Sequence, residues 1–176
     1  MSNFQRRYVP EHTHFFTARL QDPASDMLVS QIGLLRDASR TVIKRWPFEI
    51  AGAVILPNKL HMIWVLPNGD VDFAKRWRLV KSTFARHAPA SLSQGTGSGR
   101  IWHRSLWHHV IRDIGDYDRH MHVIASSPVQ AGLVKRAADW PFSSLHAGTE
   151  RVPPELPRTT ALVPSNPCPK AAVRAN

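Results

Sequence analysis

Apolar positions along the chain predict an alternation of strands and helices. Aromatic and β-branched residues cluster at 12–20, between turn-prone residues, which is typical of a strand. Apolar residues then recur every three to four positions over 27–46, which predicts a helix that ends at Pro47. Two further apolar runs, 48–56 and 60–66, are separated by three turn-forming residues. They predict an antiparallel hairpin.

The second half of the chain continues the alternation. Residues 71–87 have an apolar stripe at helical spacing, and the aromatic-rich segment 101–112 is expected to be extended. Residues 113–127 are predicted to form a helix that Pro128 ends. The order strand, helix, strand, strand, helix, strand, helix indicates an α+β sandwich, with an antiparallel sheet covered by helices on one face.

The length of 176 residues suits one domain with a sizeable core, which we assign to residues 1–147. A Ser- and Gly-rich loop is expected at 89–99, and the Pro-rich residues 148–176 are expected to be a disordered tail. The single cysteine, Cys168, cannot form an internal disulfide. That is consistent with a reducing compartment.

The charge of the chain favours a polyanionic partner. Its 23 lysine and arginine residues outnumber 13 acidic residues, so the formal net charge is +10, and nucleic acid is the default partner of such a protein. An acidic membrane surface is the rival, but the sequence has no uninterrupted apolar stretch of roughly 18 residues. We therefore expect no membrane partner and a soluble, cytoplasmic protein, associated with the nucleoid if it binds DNA.

Basic and aromatic residues combine in two segments. The predicted helix 71–87 has basic residues around its apolar stripe, and segment 101–112 contains Trp102 and Trp107, which could stack on bases or belong to the core. We expect at least one of these two tryptophans to be core. The predicted DNA-contacting residues in and next to these two segments are Arg76, Arg78, Lys81, Arg86, Arg100, Arg104 and Arg112.

Four segments, in this order and spacing, resemble one known family: 48–64, 66–86, 101–113 and 128–144. The first reads PFEI, an apolar strand, Leu-Pro, two residues, Leu-His, two apolar residues and Trp. Together they resemble the IS200-like single-tyrosine transposases, known for their HUH motif, and more closely their REP-associated relatives. The resemblance covers most of residues 1–147 and implies a ferredoxin-like fold that handles single-stranded and hairpin DNA.

The resemblance also implies a chemistry. In the family, two histidines two residues apart on a strand and a Gln or Asn on a helix bind a divalent metal, Mg²⁺ or Mn²⁺, that polarises a phosphate. A tyrosine four residues before the third ligand attacks this phosphate. Period two along a strand places both imidazoles on one face, and a spacing of four on a helix does the same for nucleophile and ligand.

The matching positions of this chain depart from that pattern. Lys59 stands at the first histidine, His61 at the second, Val123 at the tyrosine and Ser127 at the third ligand. We call these the four family positions. A protonated ammonium has no lone pair for a metal, and valine has no atom that can attack phosphorus. We therefore expect no catalytic residue, only one retained ligand and no bound metal, while Lys59 is either solvated or itself contacts a DNA phosphate.

Substitute residues are few. The chain has two tyrosines, Tyr8 and Tyr117, and helical geometry places Tyr117 on a different face from Val123, where packing is its ordinary role. A shifted metal site that uses His61 and His122 is an alternative, but it has no firm third ligand. The resemblance gives the His-x-His pair His12 and His14 no role. Other histidines of these segments, for which surface contact with phosphate or water is the ordinary role, are His103, His108, His109 and His120.

Three functions therefore stay open. The leading one is a transposase-family protein that binds single-stranded or hairpin DNA and has lost strand cleavage. The second is an active strand-transfer enzyme with a displaced site that uses Tyr117 and a histidine cluster. The third is an RNA-binding or interaction module on the same fold. A homodimer is possible, because the family includes both monomers and dimers.

Overall fold

The computed structural model describes residues 12–89 and 100–144. Its strands are β1 (Thr13–Arg19), β2 (Glu49–Ile55), β3 (Lys59–Val65) and β4 (Trp107–Val110). Its helices are α1 (Met27–Ser30), α2 (Ile32–Arg45), α3 (Phe73–His87), α4 (Ile114–Gln130) and a short 3₁₀ turn (Ala137–Asp139). The loop predicted at 89–99 lies, from residue 90 onward, outside the described residues, as does the predicted tail.

The four strands form one antiparallel sheet in the order β2-β3-β1-β4. The predicted hairpin is confirmed as β2 and β3, and β1 pairs with β3 over its whole length. This strand order, with a helix after the first and third strands, is the ferredoxin-like α+β fold expected from the sequence. Within the described residues, no helix is both long and apolar enough to cross a membrane.

Helices cover both faces of the sheet, which corrects the expectation that they cover one. Phe16 and Trp64 point to a core that includes Trp77 of α3, while their neighbours Phe15 and Ile63 point to a second core with Ile124 of α4. Alternate residues of a strand face opposite sides. Because β1 and β3 have apolar or aromatic side chains at both sets of positions, they require cover on both sides.

Two helix boundaries also differ from the predictions. The predicted helix at 27–46 is divided at Gln31 into α1 and α2. Helix α4 does not end at Pro128 but continues through it to Gln130. Proline removes one backbone donor from a helix, and here Pro128 lies inside the helix, buried together with Ser127.

Gly52 of β2 lies directly against side chains of helix α4. A Cβ atom at this residue would lie 2.7 Å from Met121 Sδ and 3.3 Å from Ile124 Cδ1. The pairing of β2 with β3 also shifts register between Ile50 and Gly52. The glycine therefore lets the helix that carries two of the four family positions pack directly on the sheet.

Candidate nucleic-acid interface

Two rows of side chains cross the sheet on the side that α4 partly covers. Strand register places His61, Thr17 and Trp107 in one row, and Ile63, Phe15 and His109 in the next. Lys59 precedes His61 by two residues and so shares its face. We call this surface, with helix α4 beside it, the α4 face; its strand residues are Phe15, Thr17, Lys59, His61, Ile63, Trp107 and His109.

His61 is fixed in the middle of the α4 face. It is buried, a hydrogen bond of 2.7 Å joins its Nδ1 to Thr17 Oγ1, and its ring stacks on Phe15 with centroids 5.6 Å apart. Burial, followed by the charge of Lys59, lowers the pKa of His61 to about 4. The imidazole is therefore neutral at pH 7, and its orientation is set by β1.

The other three family positions do not complete a metal site around His61. Lys59 brings a positive charge to the same face. The buried Ser127 hydroxyl donates a 2.5 Å hydrogen bond to the carbonyl of Val123 one turn earlier. Val123 itself is 37 % exposed, at the position where the family has its nucleophile. These side chains do not fit the divalent metal of the family, because only His61 offers a suitable donor.

The two candidate stacking tryptophans have different environments. Trp102 is buried in the core, 8 % exposed, so the prediction that at least one of them is core is confirmed. Trp107 is 53 % exposed at the end of the first row of the α4 face. Its ring stacks beside those of His109 and His120, at centroid distances of 6.1 and 6.4 Å. It is the exposed aromatic surface that a base could contact.

A cluster that the sequence did not reveal lies beside Trp107. His109 Nε2 is 2.8 Å from Asp116 Oδ2, and His120 Nδ1 is 3.2 Å from Asp116 Oδ1. We call these three residues the His–Asp–His cluster. Burial raises the pKa of Asp116, but hydrogen bonds from His109 and the Arg112 amide outweigh burial and lower this pKa to about 2. The Asp-x-x-x-His spacing of Asp116 and His120 could have indicated two of the three residues, because it places both on one helix face.

Arg76 is a correction to the predicted DNA-contacting residues. It is 2 % exposed, and its guanidinium donates to both carboxylate oxygens of Asp70, at 3.0 and 2.6 Å. It also donates to the carbonyls of Trp46, Pro47 and Asp72. The arginine stabilises the start of α3, and its donors are occupied inside the protein.

Three other predicted basic residues line one groove beside α3. Arg78, Lys81 and Arg100 surround a cavity of about 630 Å³ whose apolar walls include Trp102 and Leu106. Burial lowers the pKa of Lys81, and its ammonium lies 5.6 Å from the centre of the Trp102 ring. We call this the α3 groove. The remaining three predicted arginines are exposed and lie outside the groove lining: Arg86, Arg104 and Arg112.

The alternative site residues do not meet at one place. Tyr117 packs partly buried against the core under α4, whereas Val123 is exposed, so the two occupy different faces as predicted. Among residues 12–89 and 100–144, the one group of three potential metal-binding side chains is the His–Asp–His cluster, which contains neither His61 nor His122. His12 and His14 have other hydrogen-bond partners: His12 Nε2 accepts from the Gly69 amide, and His14 Nδ1 forms a hydrogen bond with His108 Nε2.

Comparison with curated proteins identifies two relatives that match most of the chain. One is the REP-associated tyrosine transposase of Escherichia coli K12, 41% identical over 151 residues, which cover 86% of this chain and 87% of the relative. The other, from Haemophilus influenzae Rd, bears the same family name and is 34% identical over 152 residues, covering 83% of this chain and 86% of the relative. No protein-family model matches the chain.

Solved structures give the same result for the fold. A REP-associated tyrosine transposase bound to a REP hairpin has 40% sequence identity and a TM-score of 0.69, with 84% of each chain covered. A Deinococcus radiodurans protein is 16% identical with a TM-score of 0.50, covering 70% of this chain and 95% of its own, and supports the fold alone. The resemblance inferred from the four sequence segments is therefore confirmed.

Proposed function

Because this chain belongs to the REP-associated tyrosine transposase family, we propose that it binds single-stranded and hairpin DNA without cutting it. The α4 face would contact bases, and the α3 groove would contact phosphates. Such binding would place the protein on chromosomal DNA in the cytoplasm. The relative with 40% identity whose structure includes a REP hairpin supports the choice of hairpin DNA.

The observation that carries the binding proposal is the exposure of Trp107. Trp107 is 53 % exposed, and its ring is held in place by an edge contact with Phe15 and by the stacked rings of His109 and His120. A preorganised ring loses little conformational entropy when a base stacks on it. Stacking contributes about 1–3 kcal/mol per base, whatever the base.

The α3 groove supplies the charge for the same partner. Arg78 and Arg100 are exposed cations, and Lys81 lines the same groove with its ammonium 5.6 Å from the centre of the Trp102 ring. With a formal net charge of +10, the whole chain attracts the DNA backbone as well. Phosphate neutralisation releases counterions, so affinity should fall steeply as salt rises.

The side chains at the four family positions support the proposal that the protein does not cut DNA. Val123 replaces the phenol, and the Ser127 hydroxyl is directed to a backbone carbonyl of its own helix. Lys59 places a positively charged ammonium at a position where the family has a metal ligand. Because neither Lys59 nor Val123 can donate a lone pair, His61 lacks the further ligands that a divalent metal needs. In this proposal Lys59 contacts a phosphate in place of the metal, as a charge without catalytic power.

Fluorescence anisotropy with labelled nucleic acids tests binding. The probes are a DNA hairpin with a single-stranded 5′ extension, an unstructured single strand of equal length, a blunt duplex and an RNA hairpin. We expect the extended hairpin and the single strand to bind more tightly than the duplex, with affinities that fall as salt rises. Tighter binding of the RNA hairpin, or affinity for DNA independent of salt, would favour an RNA-binding or interaction module.

A cutting enzyme with a displaced site is the second candidate, because the His–Asp–His cluster contains Asp116, the residue directly before Tyr117. This candidate requires the tyrosine to leave its packed position. Incubation of the labelled hairpin with Mg²⁺ or Mn²⁺, followed by denaturing electrophoresis, separates the two. A covalent adduct that disappears in Tyr117→Phe would establish the second candidate.

A further inference from the structure

The His–Asp–His cluster has the composition and placement of a transition-metal site distinct from the family positions. The ligand atoms of His109, Asp116 and His120 all lie within 4.8 Å of one another. Two imidazoles and one carboxylate, with water in a fourth position, are a common tetrahedral zinc set. We propose that these three side chains bind one zinc-like divalent ion that joins strand β4 to helix α4.

The backbone already holds the three ligands together. Asp116 and His120 are one turn apart on α4, so their side chains lie on the same face, and β4 brings His109 from the sheet edge. The rings of His109 and His120 stack with centroids 4.7 Å apart and an angle of 21°. Little side-chain freedom is left for an ion to restrict, and this favours binding.

The carboxylate is also prepared for an ion. Asp116 is buried, with 7 % of its side chain exposed, and its Oδ2 accepts from the amide of Arg112 at 3.2 Å. Such outer hydrogen bonds orient metal ligands. Arg119 approaches Asp116 Oδ1 at 3.2 Å, but its side chain is 70 % exposed and can turn into solvent when an ion enters.

Metal binding would replace hydrogen bonds within the cluster. In the structure, a hydrogen bond of 2.8 Å joins His109 Nε2 to Asp116 Oδ2, and another of 2.8 Å joins His120 Nδ1 to the backbone carbonyl oxygen of Asp116. On binding, each imidazole coordinates through this nitrogen and carries its proton on the other ring nitrogen. Imidazole ligands favour Zn²⁺, Co²⁺ or Ni²⁺, whereas Mg²⁺ prefers oxygen. The site should therefore select zinc-like ions over Mg²⁺.

Titration of the untagged full-length protein tests the proposal. After treatment with EDTA and its removal, Co²⁺ is added while the visible absorption of the tetrahedral ion is followed, and Zn²⁺ is then used to displace it. We expect one equivalent to bind, Zn²⁺ to compete, and excess Mg²⁺ not to compete. The midpoint of thermal unfolding should rise with Zn²⁺, because an ion that binds only the folded chain stabilises it.

Matched variants locate the site. Asp116→Asn and His109→Gln should each weaken Co²⁺ binding by at least about 10-fold, the usual size of effects around metal sites. His122→Gln, an exposed histidine on the same helix, and His61→Gln, the retained family ligand, should leave it unchanged. Having two variants on two elements keeps the test valid if Asp116→Asn does not fold. Absence of Co²⁺ binding, or its loss in His61→Gln with retention in His109→Gln, would overturn the proposal.

Discussion

Trp102 and Trp107 are five residues apart in sequence and occupy opposite environments. Both lie in a segment rich in aromatic and basic residues, so composition alone gives them the same interpretation. The structure separates them, because Trp102 lies behind Lys81 in the core and Trp107 follows the register of an edge strand. Arg76 and Arg78 differ in the same way within one helix turn. At the residue scale, burial decides which basic and aromatic side chains are available to DNA.

The tryptophan pair gives a first prediction. Trp107→Ala should weaken binding of the extended hairpin about 5- to 150-fold, the effect of losing one stacked base, and should lower stability less than Trp102→Ala does. Trp102→Ala should instead lower the free energy of unfolding by about 3–5 kcal/mol. Anisotropy and urea unfolding on both variants provide the check. Equal effects of the two substitutions on DNA affinity, at matched folded fraction, would refute the assignment of Trp107 to the interface.

The arginine pair gives a second prediction. Arg76→Met leaves Asp70 and three backbone carbonyls without their donor and should cost about 3–5 kcal/mol of stability. Arg78→Met should leave stability nearly unchanged but reduce the slope of log affinity against log salt by about one. Arg36→Met, an exposed position on α2, is the charge-matched control. A salt slope unchanged in Arg78→Met would remove the α3 groove from the interface.

At the scale of elements, the hairpin β2–β3 and helix α4 preserve the family fold, although Lys59, Val123 and Ser127 differ from the residues that the resemblance implies at three of the four family positions. Sequence patterns located both elements, since an apolar run with a turn and a helical stripe are local signals. They did not show that α4 continues through Pro128 or that it covers the second sheet face. Those features involve contacts between residues distant in sequence: Gly52 of β2 lies against Met121 and Ile124 of α4, and Ser127 and Pro128 are buried.

Restoring the family residues tests whether that arrangement is intact. The combined variant Lys59→His, Val123→Tyr and Ser127→Asn should gain weak, Mn²⁺-dependent nicking of the hairpin, because His61 is already oriented by Thr17 and position 123 is exposed. The same variant with His61→Ala is the control and should stay inactive. If the restored variant binds the hairpin but never nicks it, the loss of chemistry extends beyond the three substituted positions.

At the scale of the whole molecule, charge and fold were predictable, and the grouping of side chains was not. The excess of basic residues indicated a nucleic-acid partner, and the order of elements indicated the ferredoxin-like sheet. The His–Asp–His cluster joins residues of a strand and a helix, so no local pattern contains all three. The same is true of His14 and His108, which pair across the sheet 94 residues apart.

The buried histidines predict how the molecule responds to acid. Burial, followed by the charges of His108 and His12, lowers the pKa of His14 to about 4, from 6.5 in an unfolded chain. The unfolded chain therefore binds a proton more readily at this residue, so the contribution of His14 to stability is present above the unfolded pKa and is lost as pH falls toward 4. Urea midpoints at pH 7.5 and 5.0 should show this decrease. His14→Phe, which keeps the ring stacking, should reduce it; an unchanged decrease would assign it to other groups.

The central claim is that this chain binds hairpin DNA and does not cut it. The most direct measurement incubates a labelled hairpin with the wild-type protein and Mn²⁺, determines the bound fraction by native electrophoresis, and then denatures the same sample. We predict a retarded complex from which the DNA is recovered intact and free of protein. Nicked DNA, or label attached covalently to protein through a tyrosine, would contradict the account.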